Sequence, residues 1–314
     1  MYLIICHETA LGYWRRFRGS IALMPRIRFP ELPNRPVILD AQIRKELSDA
    51  SISFDAGHPL DLLFSRGGTC SQSSEIRSHR PRRPIPHNAL VRVSEHVAVA
   101  SPELCFAQVA PTRPLGRLLL DGCELCGTFV PDTAGAPPQE RAPLTSAEDL
   151  RAFLVAMGAG REARVSRASR MIFDGAASQM EAKLALLLGL PQTMGGFGLP
   201  RPALNAPIAL GPAALRVYPH SPCRVDLSWP GTGLAVEYDG RLHDEDRRDV
   251  DNARIVALRM EGFDVLVLRR QQVYDAQALA SIARVIAAKL GRRLRVTTRD
   301  FWRRHMQLRR ELGL

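Results

Sequence analysis

Residues 224–240 read Arg-Val-Asp-Leu-Ser-Trp-Pro-Gly-Thr-Gly-Leu-Ala-Val-Glu-Tyr-Asp-Gly, and this stretch narrows the fold more than any other. Two strand-like runs flank a Pro-Gly-Thr-Gly turn, which predicts an antiparallel hairpin with strands at 224–229 and 234–238. Side chains alternate between the faces of a strand. If Trp229 pairs with Leu234, the same register sets Asp226 opposite Glu237. Leu227, Trp229, Val236 and Tyr238 then share one face; Asp226, Ser228, Ala235, Glu237 and Asp239 share the other. Acids are depleted in strands, and like charges placed opposite one another repel. A divalent cation between them removes that penalty, and hard oxygen ligands suit magnesium or manganese. Such an ion polarises a phosphate and lowers the pKa of an attacking water. His243 follows the second strand, where it would assist proton transfer or bind phosphate.

The surrounding chain supplies an ordered set of elements. Ser178-Gln-Met-Glu181 opens an apolar helix. Glu181 has a structural reading as the second half of a capping box with Ser178 and a functional one as a metal-facing acid, and the two are compatible. Asp239 reads equally as the end of a strand before the Gly240 turn. A charged helix is expected over 246–261, a buried strand over 264–268 and an amphipathic helix over 275–290. Asp251 and Arg254 lie one helical turn apart, which predicts an ion pair on a solvated face, with a phosphate contact as the alternative.

In order, Ser178-x-x-Glu181, Arg224-Val-Asp226, Val236-Glu-Tyr-Asp-Gly240 with His243, Asp251-x-x-Arg254 and 262–269 (Gly-Phe-Asp-Val-Leu-Val-Leu-Arg) resemble the small endonuclease-domain proteins related to very-short-patch-repair nucleases. These belong to the PD-(D/E)xK, or restriction-endonuclease-like, superfamily. The resemblance covers residues 175–290. It implies a mixed sheet flanked by helices, and hydrolysis of phosphodiester bonds in DNA. Asp226 and Glu237 would hold the Mg2+ (or Mn2+), with Glu181, Asp239 and His243 completing the catalytic set. The position of the motif lysine holds Asp239, and Val225 rather than proline precedes Asp226. The repair-type enzymes also lack that lysine and lean on a histidine, which makes His243 the substitute. The alternative is a non-catalytic DNA-binding regulator that keeps the fold as a scaffold. RNA is an equal substrate chemically, since both backbones demand the same metal chemistry.

Ser101-Pro-Glu-Leu-Cys-Phe and Cys123-Glu-Leu-Cys-Gly, followed by Ala177-Ser-Gln-Met-Glu181, resemble actinobacterial proteins that carry such a domain at their C-terminus, and whose N-terminal halves are similar in layout to abortive-infection antitoxin-type regulators. That association implies phage defence or mobile-element biology. The chain is expected to be α/β: a smaller α/β recognition region over 1–130, a Pro/Ala/Gly-rich linker over 131–144, connecting helices over 145–174, the nuclease-like domain over 175–291 and a basic tail over 292–314. Within the first region a strand is expected at 2–6, helices from Glu8, at 41–48 and from Ser101, a basic loop at 65–88, and one strand over 91–99.

An excess of 43 Lys and Arg over 32 Asp and Glu gives a net charge of +11, which favours a polyanionic partner such as nucleic acid. Arg241, Arg254, Arg292, Arg293, Arg303 and Arg304 are the candidate phosphate contacts; Phe301 and Trp302 interleave the last two. No stretch reaches the length of a membrane span, and the apolar opening is too short for a signal-peptide core. The expectation is a cytoplasmic protein with reduced thiols. Cys123-x-x-Cys126 has no second pair, which favours buried thiols over a zinc site.

Overall fold

The computed structural model describes residues 2–28, 31–69, 73–131, 139–160, 163–239, 245–296 and 298–314, with only the backbone of 245–248. The chain is α/β and forms two compact units, Met1–Pro114 with Asp121–Ile172, and Leu115–Leu120 with Phe173–Leu314.

The first unit is built on a six-stranded mixed sheet. In chain order its elements are β1 (Leu3–Ile5), α1 (His7–Arg16), β2 (Arg26–Ile27), α2 (Ala41–Asp49), β3 (Leu60–Leu63), β4 (Ile76–His79), β5 (Leu90–Arg92), β6 (Val97–Ala100) and α3 (Pro102–Val109). There follow α4 (Leu115–Leu125), of which only the part from Asp121 belongs to this unit, β7 (Phe129–Val130), β8 (Gln139–Glu140), α5 (Ala147–Ala156) and α6 (Arg164–Ser169). The sheet order is β2-β5-β6-β1-β3-β4. Leu3, Ile4 and Ile5 are fully apolar, so β1 takes a central place with β6 parallel on one side and β3 antiparallel on the other. Ala10, Leu11, Tyr13 and Trp14 of α1 are buried, and the Trp14 indole donates to Ala100 O at 2.8 Å. Ser101 caps α3 by accepting from Leu104 N, with Pro102 in the first turn.

Several expectations need correction here. The single strand over 91–99 is two strands, β5 and β6, paired antiparallel. The Glu46 carboxylate accepts from the His96 N–H and holds the turn between them. The basic excursion 65–88 contains β4, because the edge of β3 offers its backbone groups to Ile76–His79 in a parallel ladder. The Pro/Ala/Gly-rich segment lies between β7 and β8, which pair with each other inside the first unit; its residues 132–138 lie outside the described ones. The helices α5 and α6 likewise belong to the first unit, whose last residue is Ile172. Cys123 and Cys126 are buried, and the described residues hold no metal-ligand group that includes them.

The second unit carries α7 (Gln179–Gly189), β9 (Ala203–Ile208), α8 (Pro212–Val217), β10 (Cys223–Trp229), β11 (Leu234–Asp239), α9 (Glu245–Met260), β12 (Asp264–Arg269), α10 (Arg270–Tyr274), α11 (Ala276–Lys289) and α12 (Arg299–Leu312). Its sheet, ordered β12-β11-β10-β9, is mixed: β11 and β12 run parallel and the other neighbours antiparallel. Cys223, Val225, Ala235 and Val265 of the sheet pack with Ala257 and Leu258 of α9 and with Leu210 and Ala214 around α8. The basic tail is not separate from this unit. Its helix α12 buries Phe301, His305, Leu308, Arg309 and Leu312 along one face, because apolar residues there recur at helical spacing. His305 Nδ1 bonds Gly195 O at 2.7 Å, and the Arg309 guanidinium donates to Val273 O and Tyr274 O.

Candidate active site

The hairpin register matches its expectation at three pairs, Trp229↔Leu234, Ser228↔Ala235 and Leu227↔Val236. There the ladder between β10 and β11 stops. On its far side β10 stays paired with β9 as far as Cys223↔Ile208, and β11 stays paired with β12 as far as Asp239↔Arg269. The two central strands therefore part at the point where the sequence places Asp226 and Glu237. The expected face-to-face Asp226–Glu237 pair does not form as a ladder pair. Asp226 Oδ2 instead accepts the Tyr238 N–H at 2.6 Å, so a side chain takes the donor that a strand partner would have used.

Three carboxylates gather at this split. Glu237 is 4% exposed and Glu181 6%. Glu181 arrives on α7, where Ser178 Oγ accepts from the Glu181 N–H at 3.2 Å. The Glu181 carboxylate reaches back to Ala177 N at 2.7 Å rather than to Ser178 N. It also accepts from the Asn205 side chain on β9. Asn205 has a positive φ of 48° and donates to Gly175 O at 3.0 Å as well. That left-handed backbone, which Asn tolerates better than most residues, helps to aim its amide at Glu181. Capping and a place in the site thus coincide in Glu181.

Burial and mutual repulsion govern the charges. Burial and the charge of Asp226 push Glu237 up to about 8, against the pull of the Arg254 guanidinium. Glu181 is pushed up to about 7, by burial first and by Asp226 second. Asp226 is raised too, chiefly by burial, with the Tyr238 N–H acting in the opposite direction. Strongly perturbed acids that converge from separate elements are a mark of functional sites.

Arg254 departs from its expected place on a solvated face beside Asp251. Its guanidinium donates to Glu237 Oε2 at 2.6 Å and to Arg224 O at 3.2 Å, because α9 packs on the sheet with Ala257 and Leu258 against Val225 and Ala235. Glu237 Oε1, by contrast, is buried and has no hydrogen-bond partner among the described residues. Asp239 stands exposed at the end of β11. His243 and Arg241 lie outside the described residues. Arg292 and Arg293 are exposed beyond α11. Arg303 and Arg304 each pair with Asp300 one turn back on α12, at 3.3 and 3.5 Å.

The donor set fits a hard divalent cation. Three carboxylates from α7, β10 and β11 supply oxygen ligands, they repel one another without a cation, and Glu237 Oε1 has no other partner among the described residues. Sequence reasoning missed Asn205 and the Arg254–Glu237 pair. Asn205 precedes Ala-Pro in a chain short of strand formers, a pattern that signals a kink, while the reach of Arg254 depends on how α9 crosses the sheet. Comparisons of the chain with protein-family models, with curated proteins and with solved structures find no match.

Proposed function

We propose that the second unit is a metal-dependent endonuclease core of the PD-(D/E)xK type, which hydrolyses phosphodiester bonds in DNA in a cytoplasmic setting. The observation that carries this reading is the trio of buried Glu181, buried Glu237 and half-buried Asp226 at the split between β10 and β11. Asp226 and Glu237 would hold magnesium, and Glu181 would lend a third carboxylate. When bound there, the ion polarises the scissile phosphate and lowers the pKa of the attacking water. Asp226 is held in place by the Tyr238 N–H. Arg254 fixes one oxygen of Glu237 and leaves the other to the site. Arg254 also brings a fixed positive charge to the place where the motif lysine is missing, and His243 remains the proposed proton-transfer group. The net charge of +11 supports a polyanionic substrate.

A second reading keeps the unit as a non-catalytic DNA-binding regulator. The exposed Asp239 at the lysine position favours it. Supercoiled-plasmid nicking in magnesium, by wild type and by Asp226→Ala, separates the two. The enzyme reading expects nicking by wild type and loss of at least two orders of magnitude in the variant. Equal nicking by both proteins would overturn the assignment of cleavage to these acids, and salt-sensitive DNA binding without cleavage that survives the loss of both acids favours the regulator.

A further inference from the structure

A second cluster of ligand-type side chains sits in the first unit, built by the sheet. Ile5 of β1 is opposite Leu62 of β3, so the next residue, Cys6, comes opposite Asp61, and the Cys6 N–H donates to Asp61 O at 2.9 Å. Asp61 in turn registers with Arg77 of β4, and His79 lies two residues on. Since side chains alternate along a strand, Cys6, Asp61, Arg77 and His79 project from the same face. His7 joins them from the first position of α1, with a positive φ of 47°. A left-handed conformation at a non-glycine residue costs energy, and such residues concentrate at ligand clamps.

The ligand atoms are close-set. His7 Nδ1 lies 3.1 Å from Cys6 Sγ. The His7 and His79 rings stack with centroids 3.7 Å apart. One ligand atom from each of Cys6, His7 and His79 falls within 4.8 Å of the other two; the stacked rings hold their in-plane lone pairs nearly parallel, so one imidazole must turn out of the stack for both to meet one ion. The support behind them has the form found at metal-bound imidazoles. His79 Nε2 bonds Asp61 Oδ1 at 2.7 Å, which leaves its Nδ1 as the ligand nitrogen. Asp61 is 1% exposed, and its other oxygen accepts from Thr9 N and Thr9 Oγ1. Arg77 stands 3.6 Å from Asp61 Oδ1.

We propose that Cys6 Sγ and one ring nitrogen each of His7 and His79 bind a zinc-class divalent cation, with a fourth position open to water. One thiolate and two imidazoles are borderline-soft donors that suit zinc and not magnesium. The thiolate and the Asp61 carboxylate supply two negative charges near the ion, the second of them shared with Arg77. Both histidines are half-buried, so the ion has a way in from solvent. This site is independent of the three carboxylates of the second unit.

The test is cobalt titration of the full chain. A single equivalent of Co2+ should give a thiolate-to-cobalt charge-transfer band in the near ultraviolet and the visible bands of a tetrahedral site. One equivalent of zinc should erase both. The oxygen-only site of the second unit contributes no thiolate band. Cys6→Ser should abolish the charge-transfer band, His79→Gln should remove the tetrahedral bands, and Asp61→Asn should weaken binding about 10–100-fold. Cys105→Ser should retain both bands, although the Cys105 thiol donates to His7 O close by. Absence of the charge-transfer band in folded wild type overturns the proposal, even if a variant fails to fold. Its survival in Cys6→Ser overturns it as well.

Discussion

Asp226→Asn keeps the size of the side chain and an oxygen for the Tyr238 N–H, and it removes the charge that presses on both glutamates. In metal-free wild type, Glu237 is raised from 4.5 to about 8. An acid that keeps its proton to a higher pH when folded stabilises the fold at low pH. That stabilisation is full below the unfolded value and is lost as pH rises through the folded one. For Glu237 the window runs from 4.5 to about 8. At about 1.4 kcal/mol for each pH unit in that window, the loss is on the order of 5 kcal/mol above its upper end, with most of it incurred by neutrality. Glu181 is raised for the same two reasons, so its loss overlaps with this one and is not added. Without the Asp226 charge, burial and the Glu181 charge still raise Glu237 against the pull of Arg254, and the fall should shrink by roughly 2 kcal/mol. The assay is unfolding free energy in EDTA from about pH 5 to pH 8, with hydrogen exchange of β10 and β11 amides reporting the second unit alone. The His305 imidazole is lowered by burial, so it works in the opposite direction below its ordinary value of 6.5, and it cancels between wild type and variant. Magnesium should recover the lost stability in wild type and little of it in Asp226→Asn. Stability of β10 and β11 that stays flat or rises with pH in wild type, or equal slopes in the two proteins, would refute the argument.

Three further outcomes concern the scaffold. Arg309→Met should destabilise the second unit by about 2–3 kcal/mol in denaturant melts, since Val273 O and Tyr274 O lose a buried cationic donor. Gly195→Ala should cost on the order of 3 kcal/mol and loosen α12 in hydrogen exchange, because φ is 90° there and an added Cβ would run into the Arg304 backbone. Asn205→Ala should cost about 1–2 kcal/mol through the left-handed backbone and the lost bonds to Glu181 and Gly175. Asn205→Gly should recover only the backbone share, a difference that thermal melts of the two variants would read.

What the sequence disclosed follows from the range of the forces involved. The register of the β10–β11 hairpin was legible because turn chemistry and strand alternation act within a dozen residues, and Trp229↔Leu234 follows from both. The cap on α7 was legible for the same reason: Ser178 meets Glu181 one turn on. The end of the ladder at Leu227↔Val236 was not, because it depends on β9 and β12 holding the central strands from outside, and β9 carries little strand signal of its own. Arg254 read as a partner for Asp251 because helical spacing is local, whereas Glu237 comes within reach only once α9 lies on the sheet. The C-terminal arginines show the same limit in reverse. Charge alone makes a solvated tail of them, yet Phe301, Leu308 and Leu312 recur at helical spacing, and the helix they impose carries Arg309 inward to carbonyls on α10. Cys6, His7 and His79 are the extreme case. Cys6 directly follows β1 and His79 ends β4, two strands joined through β3, so the sheet order makes neighbours of residues that no spacing rule connects. Local chemistry thus exposed the acids, while the groups that tune or accompany them came into view with the tertiary structure.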